Sequence, residues 1–458
     1  MLNFNKHEFH MHNKKAMRPK KNIFSPKQKK VSSQNICLKT GGERPPVASH
    51  ISPPPEILAP AGDMPAALAA LAAGADAVYL GLKHFSARMQ AENFSTKELS
   101  ALCDLAHSRG RRIYVAMNTL IKPKEPPQAY RLARRLASGV HPDALIIQDV
   151  AMLDLARQAG FDGELHLSTL ANVTHQGALE AARSLGAARV IVPRELSLEE
   201  VALMDENCPE DLDLEMFVHG ALCYCVSGRC WWSSYMGGKS GLRGRCVQPC
   251  RRVYKQKGRE GRYFSCQDLS LDVLTRNLLA FKHLRSWKIE GRKKGPHYVY
   301  HVTNAYRLFR DEADNPEARK EAQRLIDMAL GRPGTRSLFT DMAGEATAGT
   351  ENGQTSSGLL CGRISKDDEG RYVLRPRLDL IRGDYLRVGY EDEPWHCTVP
   401  VSAKIDKNKD FYLPLPRMKR PKPGTPVFLI DRREPELMSL IAAWDPDLKR
   451  LPVRKETI

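Results

Sequence analysis

From Glu56 onward, eight short apolar, β-branched runs alternate with helical stretches, and few folds accommodate that alternation. EILAPAG, from Glu56, leads into DMPAALAALAAG, an Ala/Leu helix stopped by Gly74. ADAVYLGL follows, then the helix TKELSALCDLAHSRG, stopped by Gly110. RRIYVAMNTL, ALIIQD, LHLSTLANV, ARVIVPREL and LDLEMFVHGAL supply strands three to seven. SWKIEGR, Ser286–Arg292, is the eighth, after a cysteine-rich insert and a helix expected around 271–284. Eight βα units in roughly 250 residues predict a TIM-like (β/α)8 barrel. A doubly wound sheet is the rival, but its GxGxxG loop is missing; Ala59-Pro60-Ala61-Gly62 stands after strand one instead.

In a barrel the chemistry collects at the C-terminal strand ends. Here those ends carry Gly81 and Lys83, Asn118, Gln148 and Asp149, Ser168 and Asn172, Arg194 and Glu195, His219, Glu290 and Arg292. Glu290 is a candidate for handling protons and Arg292 for clamping a carboxylate or phosphate; the alternative is a structural Glu–Arg pair. His219 is a candidate proton donor or a hydrogen-bonding member of the rim. Asn118 and Arg194 are placed to bind substrate oxygens or to cap strand ends, and Glu215 is a further candidate substrate-binding group.

Six of the eleven cysteines fall between Cys223 and Cys266, and five of them lie in CYCVSGRCWWSSYMGGKSGLRGRCVQPC. They stand among glycines and arginines, off any apolar periodic face. Thiolates are soft ligands, and four near one point suit an iron–sulfur cluster or zinc. Paired CxxC knuckles are absent, which favours the cluster. The alternatives are buried free thiols or a disulfide framework, and no secretory segment supports the latter. Because the insert follows strand seven, its metal would sit over the mouth.

Residues 1–54 carry 11 Lys/Arg against 2 Glu, +9 of the formal +17, with little periodicity to build a core; a disordered basic tail is expected there. The remaining 404 residues still carry +8, which suits a polyanionic partner such as RNA. No apolar run is long enough to span a membrane and no signal segment is evident, so a cytoplasmic protein without membrane insertion is expected. The barrel is expected over 55–340 and a small, polar linker over 341–357. Short alternating runs from 358 to 458 predict a small β-barrel-like domain, basic around MKRPKPG. It is a candidate RNA-holding module that the cluster ligands, all lying before it, should not need.

The segment EMFVHGALCYCVSGRCWWS, Glu215–Ser233, closely resembles the signature of peptidase family U32, the collagenase-like family. Trp232 stands where the pattern expects an aliphatic residue. The resemblance extends to Ile57–Gly62, Ala75–Gly81, RGRCVQPCR and KIEGR. It implies a 4Fe–4S cluster held by Cys223, Cys230 and Cys246, with Cys250 or Cys266 as fourth ligand; Cys225 is not required. It also implies hydroxylation of a tRNA or rRNA base with prephenate as co-substrate, or of a small molecule of the ubiquinone type. The family name implies proteolysis. His219 is four residues from Cys223, but HExxH and GxSxG are absent. The long extension after 358 argues against the small-molecule members, which are compact. Oligomeric state is left open.

Overall fold

The computed structural model describes residues 53–89, 91–336, 339–340, 358–390, 395–416, 421–444 and 447. The basic tail up to residue 52 and the linker 341–357 lie outside them.

Seven parallel strands, β1 (Glu56–Pro60), β2 (Ala77–Gly81), β3 (Arg112–Met117), β4 (Ala144–Ile147), β5 (Glu164–Leu167), β6 (Arg189–Ile191) and β7 (Asp213–Ala221), pair in order. A closing strand, Leu284–Ile289, pairs in parallel with both β7 and β1, which completes an eight-stranded TIM-like barrel. Strands covered on both faces are mostly apolar, and β1 and β2 are buried over their whole length. Helix α1 (Met64–Ala72) starts where the Asp63 side chain accepts from the Ala66 amide, 2.9 Å, and α2 (Thr96–His107) starts on a Ser95/Glu98 capping box.

The helix expected around 271–284 reduces to two short turns, Asp272–Leu274 and Thr275–Leu278. The Asp205 carboxylate accepts from the amides of Lys282, His283 and Leu284 at 2.8, 2.7 and 3.1 Å, which draws this segment into the closing strand. The insert adds a hairpin, Tyr254–Gln256 with Arg259–Gly261, and a strand, Asp268–Ser270, antiparallel to the end of β7.

Beyond 358, six antiparallel strands form a curved half-barrel: Leu359–Lys366, Tyr372–Leu374, Tyr385–Val388, Cys397–Pro400, Phe411–Tyr412 and Pro426–Asp431. The sheet is not an independent appendage. Leu330, from the end of the barrel helices, enters its core. The last helix, Pro435–Ala442, returns to the barrel, where Leu437 and Ile441 pack on Leu68, Ala69 and Leu105. Arg109 stacks on Trp444 beside them, 4.6 Å from the ring centroid. Removal of 358–458 would therefore strip apolar cover from α1 and α2.

Leu437 is buried in this seam. Leu437→Ala should cost about 2–3 kcal/mol, read as a lower urea midpoint with an unchanged denaturant slope.

Candidate active site at the barrel mouth

A string of charges runs up the inside of the barrel, where such folds ordinarily stack aliphatic side chains. At its floor Glu56, on β1, is bound by Arg189 of β6, Arg112 of β3 and the Tyr114 hydroxyl, 2.9 Å. Strands β1 and β6 are not neighbours, so the Glu56–Arg189 pair crosses the lumen. Arg189 continues to Glu215 at 3.3 Å, and Glu215 accepts from Lys288 Nζ at 2.6 Å. Glu215 is fully enclosed: burial pushes its carboxyl pKa up, but Lys288 and then Arg189 outweigh that and hold it below the usual range. Lys288 lies 4.2 Å from the Tyr79 ring centroid. Glu56, Arg189, Glu215 and Lys288 cancel in charge.

Above Tyr79 a narrow cavity of about 80 Å³ opens, lined among others by Asn118, Ser168, Arg88, Arg194, Glu290 and Arg292. Part of its room is taken by the Arg88–Glu290 ion pair, 3.2 Å. Burial opposes the Glu290 charge, but Arg88 and then Arg194 keep its pKa lowered. Arg194 stacks on Phe217, 4.3 Å from the ring centroid, and donates to the Ala221 carbonyl. Arg292 donates to Ser86 and Asn93, and burial pushes its pKa down to about 10. Its space exists because residue 81 is glycine: a Cβ there would lie 2.0 Å from Arg292 Nη2. The Nε atoms of Arg194 and Arg292 are buried without hydrogen-bond partners. Three guanidinium groups thus face one carboxylate, and the balanced string below offers no compensation. Such a cavity favours an anion.

The expected residues divide here. Asn118, Arg194, Glu290 and Arg292 line the cavity together, although Asn118 spends its side-chain oxygen on the Ala87 amide, 2.9 Å. Glu215 sits beneath the lining against Lys288 and does not line the cavity. His219 does not line the cavity. The β7 register slips by one residue between Phe217, opposite Lys288, and His219, opposite Ile289, and the imidazole turns to the outer helix Pro296–Asp311. There it meets Tyr306, 3.4 Å from hydroxyl to Nδ1, and burial pushes its pKa down to about 4. Arg88, Lys288 and Tyr79 are additions that sequence reasoning missed. Lys288 shares the parity of Glu290 and Arg292 in KIEGR, a period-two signal that was available. Arg88 lies in a loop and gave none.

Two close backbone approaches hold the cysteine insert over this mouth. A Cβ at Gly244 (φ +72°) would lie 2.2 Å from the Ser86 carbonyl oxygen, and one at Gly228 (φ +73°) 2.3 Å from that of Leu170. All six insert cysteines are free thiols. Cys246 accepts from the Gln248 amide at 3.4 Å and the Ser233 hydroxyl at 3.6 Å. Cys250 neighbours Cys223, Cys246 and Cys266; burial pushes its thiol up to about 11. Cys266 is fully buried and Cys225 pairs with Cys230. Four thiolates on one zinc ion would lie about 3.8 Å apart, yet no three of the described thiols come within 4.8 Å of one another.

Beside the mouth, and sharing Leu170 with it, lies an open pocket of about 340 Å³ lined by Gln148, Asp149, Asn172 and Arg229. Gln148 Oε1 and Asn172 Nδ2 are buried there without partners, one acceptor and one donor. A depression of about 350 Å³ at the opposite end is lined by Asp76, Arg111 and Arg310, whose charges already pair with one another.

Fold and site together define a parallel-barrel protein with a cationic mouth capped by a thiol-rich insert. The family model for peptidase family U32 matches residues 62–348, and the chain belongs to that family. A 23S rRNA 5-hydroxycytidine synthase of Escherichia coli (strain K12) is 37% identical over 56% of this chain and 39% of its own. A collagenase of Porphyromonas gingivalis is 33% identical over 55% of this chain and 64% of its own. A tRNA hydroxylation protein of Bacillus subtilis is 29% identical over 78% of this chain and 89% of its own. This chain spans less than two thirds of the length of the first two. Among the described residues no helix is long and apolar enough to cross a membrane.

Glu215→Gln would leave Lys288 and Arg189 short of one buried countercharge, which should cost about 3–5 kcal/mol at pH 7. The folded-state pKa of Glu215 is depressed, so its contribution is present above the unfolded value, about 4.3, and is lost as pH falls through the folded value. The stability gap between wild type and Glu215→Gln, measured by urea titration, should therefore narrow below about pH 4.

Proposed function

We propose that this protein hydroxylates a base in tRNA or rRNA, with a 4Fe–4S cluster held by Cys223, Cys230, Cys246 and Cys250 and a prephenate-type dicarboxylate as co-substrate. The observation that carries the reading is the surplus of arginine in a buried cavity beside clustered free thiols. Cys250 is preferred to Cys266 as fourth ligand because it is half-buried among the other thiols, whereas Cys266 is enclosed and its carbonyl is bound by Arg251. The cluster supplies redox chemistry when bound.

The chain's own groups do the rest. Arg194 and Arg292 receive carboxylate oxygens through donors the fold leaves unpaired, and an entering anion competes with Glu290 for Arg88. Glu290, once released, is placed to take a proton inside the cavity. The side pocket has room for a pyrimidine, and the unpaired amides of Gln148 and Asn172 suit the donor and acceptor groups of a base edge. Trp231 and Tyr235 are 63% and 78% exposed on the insert, next to exposed Arg229, Lys239, Arg245 and Arg252, a surface that suits stacking and phosphate contact. Arg243 and Arg251 do not serve this purpose: the first pairs with Glu125 and the second is buried against backbone carbonyls. Relatives named for tRNA and rRNA hydroxylation support the same reading.

Proteolysis is the weaker reading. The cavity lining contains neither histidine nor cysteine, and His219 faces away from it.

Anaerobically purified protein should show broad visible absorbance with iron and sulfide. Cys223→Ser, Cys230→Ser and Cys246→Ser should each abolish it, while Cys225→Ser should retain it; stoichiometric zinc without iron would contradict the assignment. Mass spectrometry of nucleosides from a deletion strain should lack one hydroxylated base that the intact gene restores. An unchanged nucleoside profile with peptide cleavage by the purified protein would decide for the protease.

A further inference from the structure

One set of metal-type donors lies away from the mouth. His297 and His301 stand one helical turn apart on Pro296–Asp311, so their rings leave the same face. Glu434, preceding the last helix, enters between them. Its Oε1 lies 3.3 Å from His297 Nε2 and its Oε2 lies 3.2 Å from His301 Nε2. The three donors fall within 4.8 Å of one another, the only such group among the described residues. Both rings are buried, 2% and 4% exposed, with centroids 4.3 Å apart.

The two contacts are within hydrogen-bond reach but longer than two other histidine–carboxylate pairs. His166 approaches Glu164 at 2.7 Å and His107 approaches Asp143 at 2.9 Å in the same protein. Nitrogen and oxygen ligands about 2.0–2.2 Å from a tetrahedral zinc ion lie roughly 3.3 Å from each other, the separation found here. Each carboxylate oxygen faces a different ring, so both can reach one ion. Neither Nδ1 has a hydrogen-bond partner, so the polar contact of each ring is made through Nε2 to Glu434, while Tyr300 packs edge-on against His301.

We propose that His297, His301 and Glu434 bind one zinc ion, with water completing the coordination, and that the ion staples the C-terminal segment to the barrel. Two imidazoles one turn apart with a carboxylate from elsewhere form a borderline donor set suited to zinc. The ion would fix the chain at 431–434, where the Asp431 side chain already packs on the start of the helix: a Cβ at Gly295 would lie 2.9 Å from Asp431 Oδ1. Through that segment it would hold the Pro435–Ala442 helix on α1. The site shares no residue with the insert thiols.

The test is metal analysis of the full chain, purified anaerobically, equilibrated with micromolar zinc and then desalted. Wild type should retain one zinc ion more than Glu434→Gln or His301→Ala, with iron content and visible absorbance the same in all three. Wild-type Tm should rise with the logarithm of free zinc, and that rise should be absent in the variants. Cobalt in place of zinc should give ligand-field bands without added thiolate charge transfer. Should His301→Ala fail to fold, Glu434→Gln, which keeps the side chain's shape, carries the comparison. Equal zinc in wild type and Glu434→Gln, or cobalt bands of thiolate type only, would overturn the proposal.

Discussion

The Glu56–Arg189–Glu215–Lys288 string is the constraint on which the site depends. Each charge is withdrawn from water and is answered by its neighbours in the string, with Arg112 and Tyr114 also on Glu56 and Glu164 and Asp213 also near Arg189. The lumen is thereby filled with a neutral, rigid polar column in place of stacked aliphatics. Because that column is balanced, it cannot neutralise the mouth. Arg88, Arg194 and Arg292 are left with Glu290 alone, and the electrostatic character of the cavity follows.

The column also accounts for how the mouth is shaped. Lys288 under Tyr79 forms the cavity floor, while Phe217 carries Arg194 on its face. Glycine at 81, 228 and 244 lets Arg292 and the insert approach where any side chain would collide. The thiols are thus brought beside the arginines by backbone packing, before any metal is considered. The half-barrel and last helix complete the outside of the same unit.

The barrel was legible because strands buried on both faces must be written as apolar runs, and the helices between them carry capping residues such as Asp63 and Ser95. The cysteine insert was legible from spacing and residue type. Glu290, Arg292, Arg194 and Asn118 were legible because a barrel's strand ends converge. What failed depended on three-dimensional pairing. The apolar stretch after Leu271 reads as a helix until Asp205, distant in sequence, captures the amides at 282–284. His219 reads as a mouth residue until one extra residue in β7 turns it outward. The charge column joins residues from β1, β6, β7 and the closing strand, and no local pattern announces it.

The central claim is that the uncompensated arginines make the mouth a receptor for a dianion. Calorimetric titration of the purified protein with prephenate tests it most directly, comparing wild type with Arg194→Gln and Arg292→Gln at two salt concentrations. Losing one charge-assisted contact should weaken binding by about tenfold or more, at roughly 1.5–3 kcal/mol per contact. Binding should also weaken as salt rises. Equal affinity in wild type and both variants, or equal affinity for an uncharged diester of the same shape, would contradict the account.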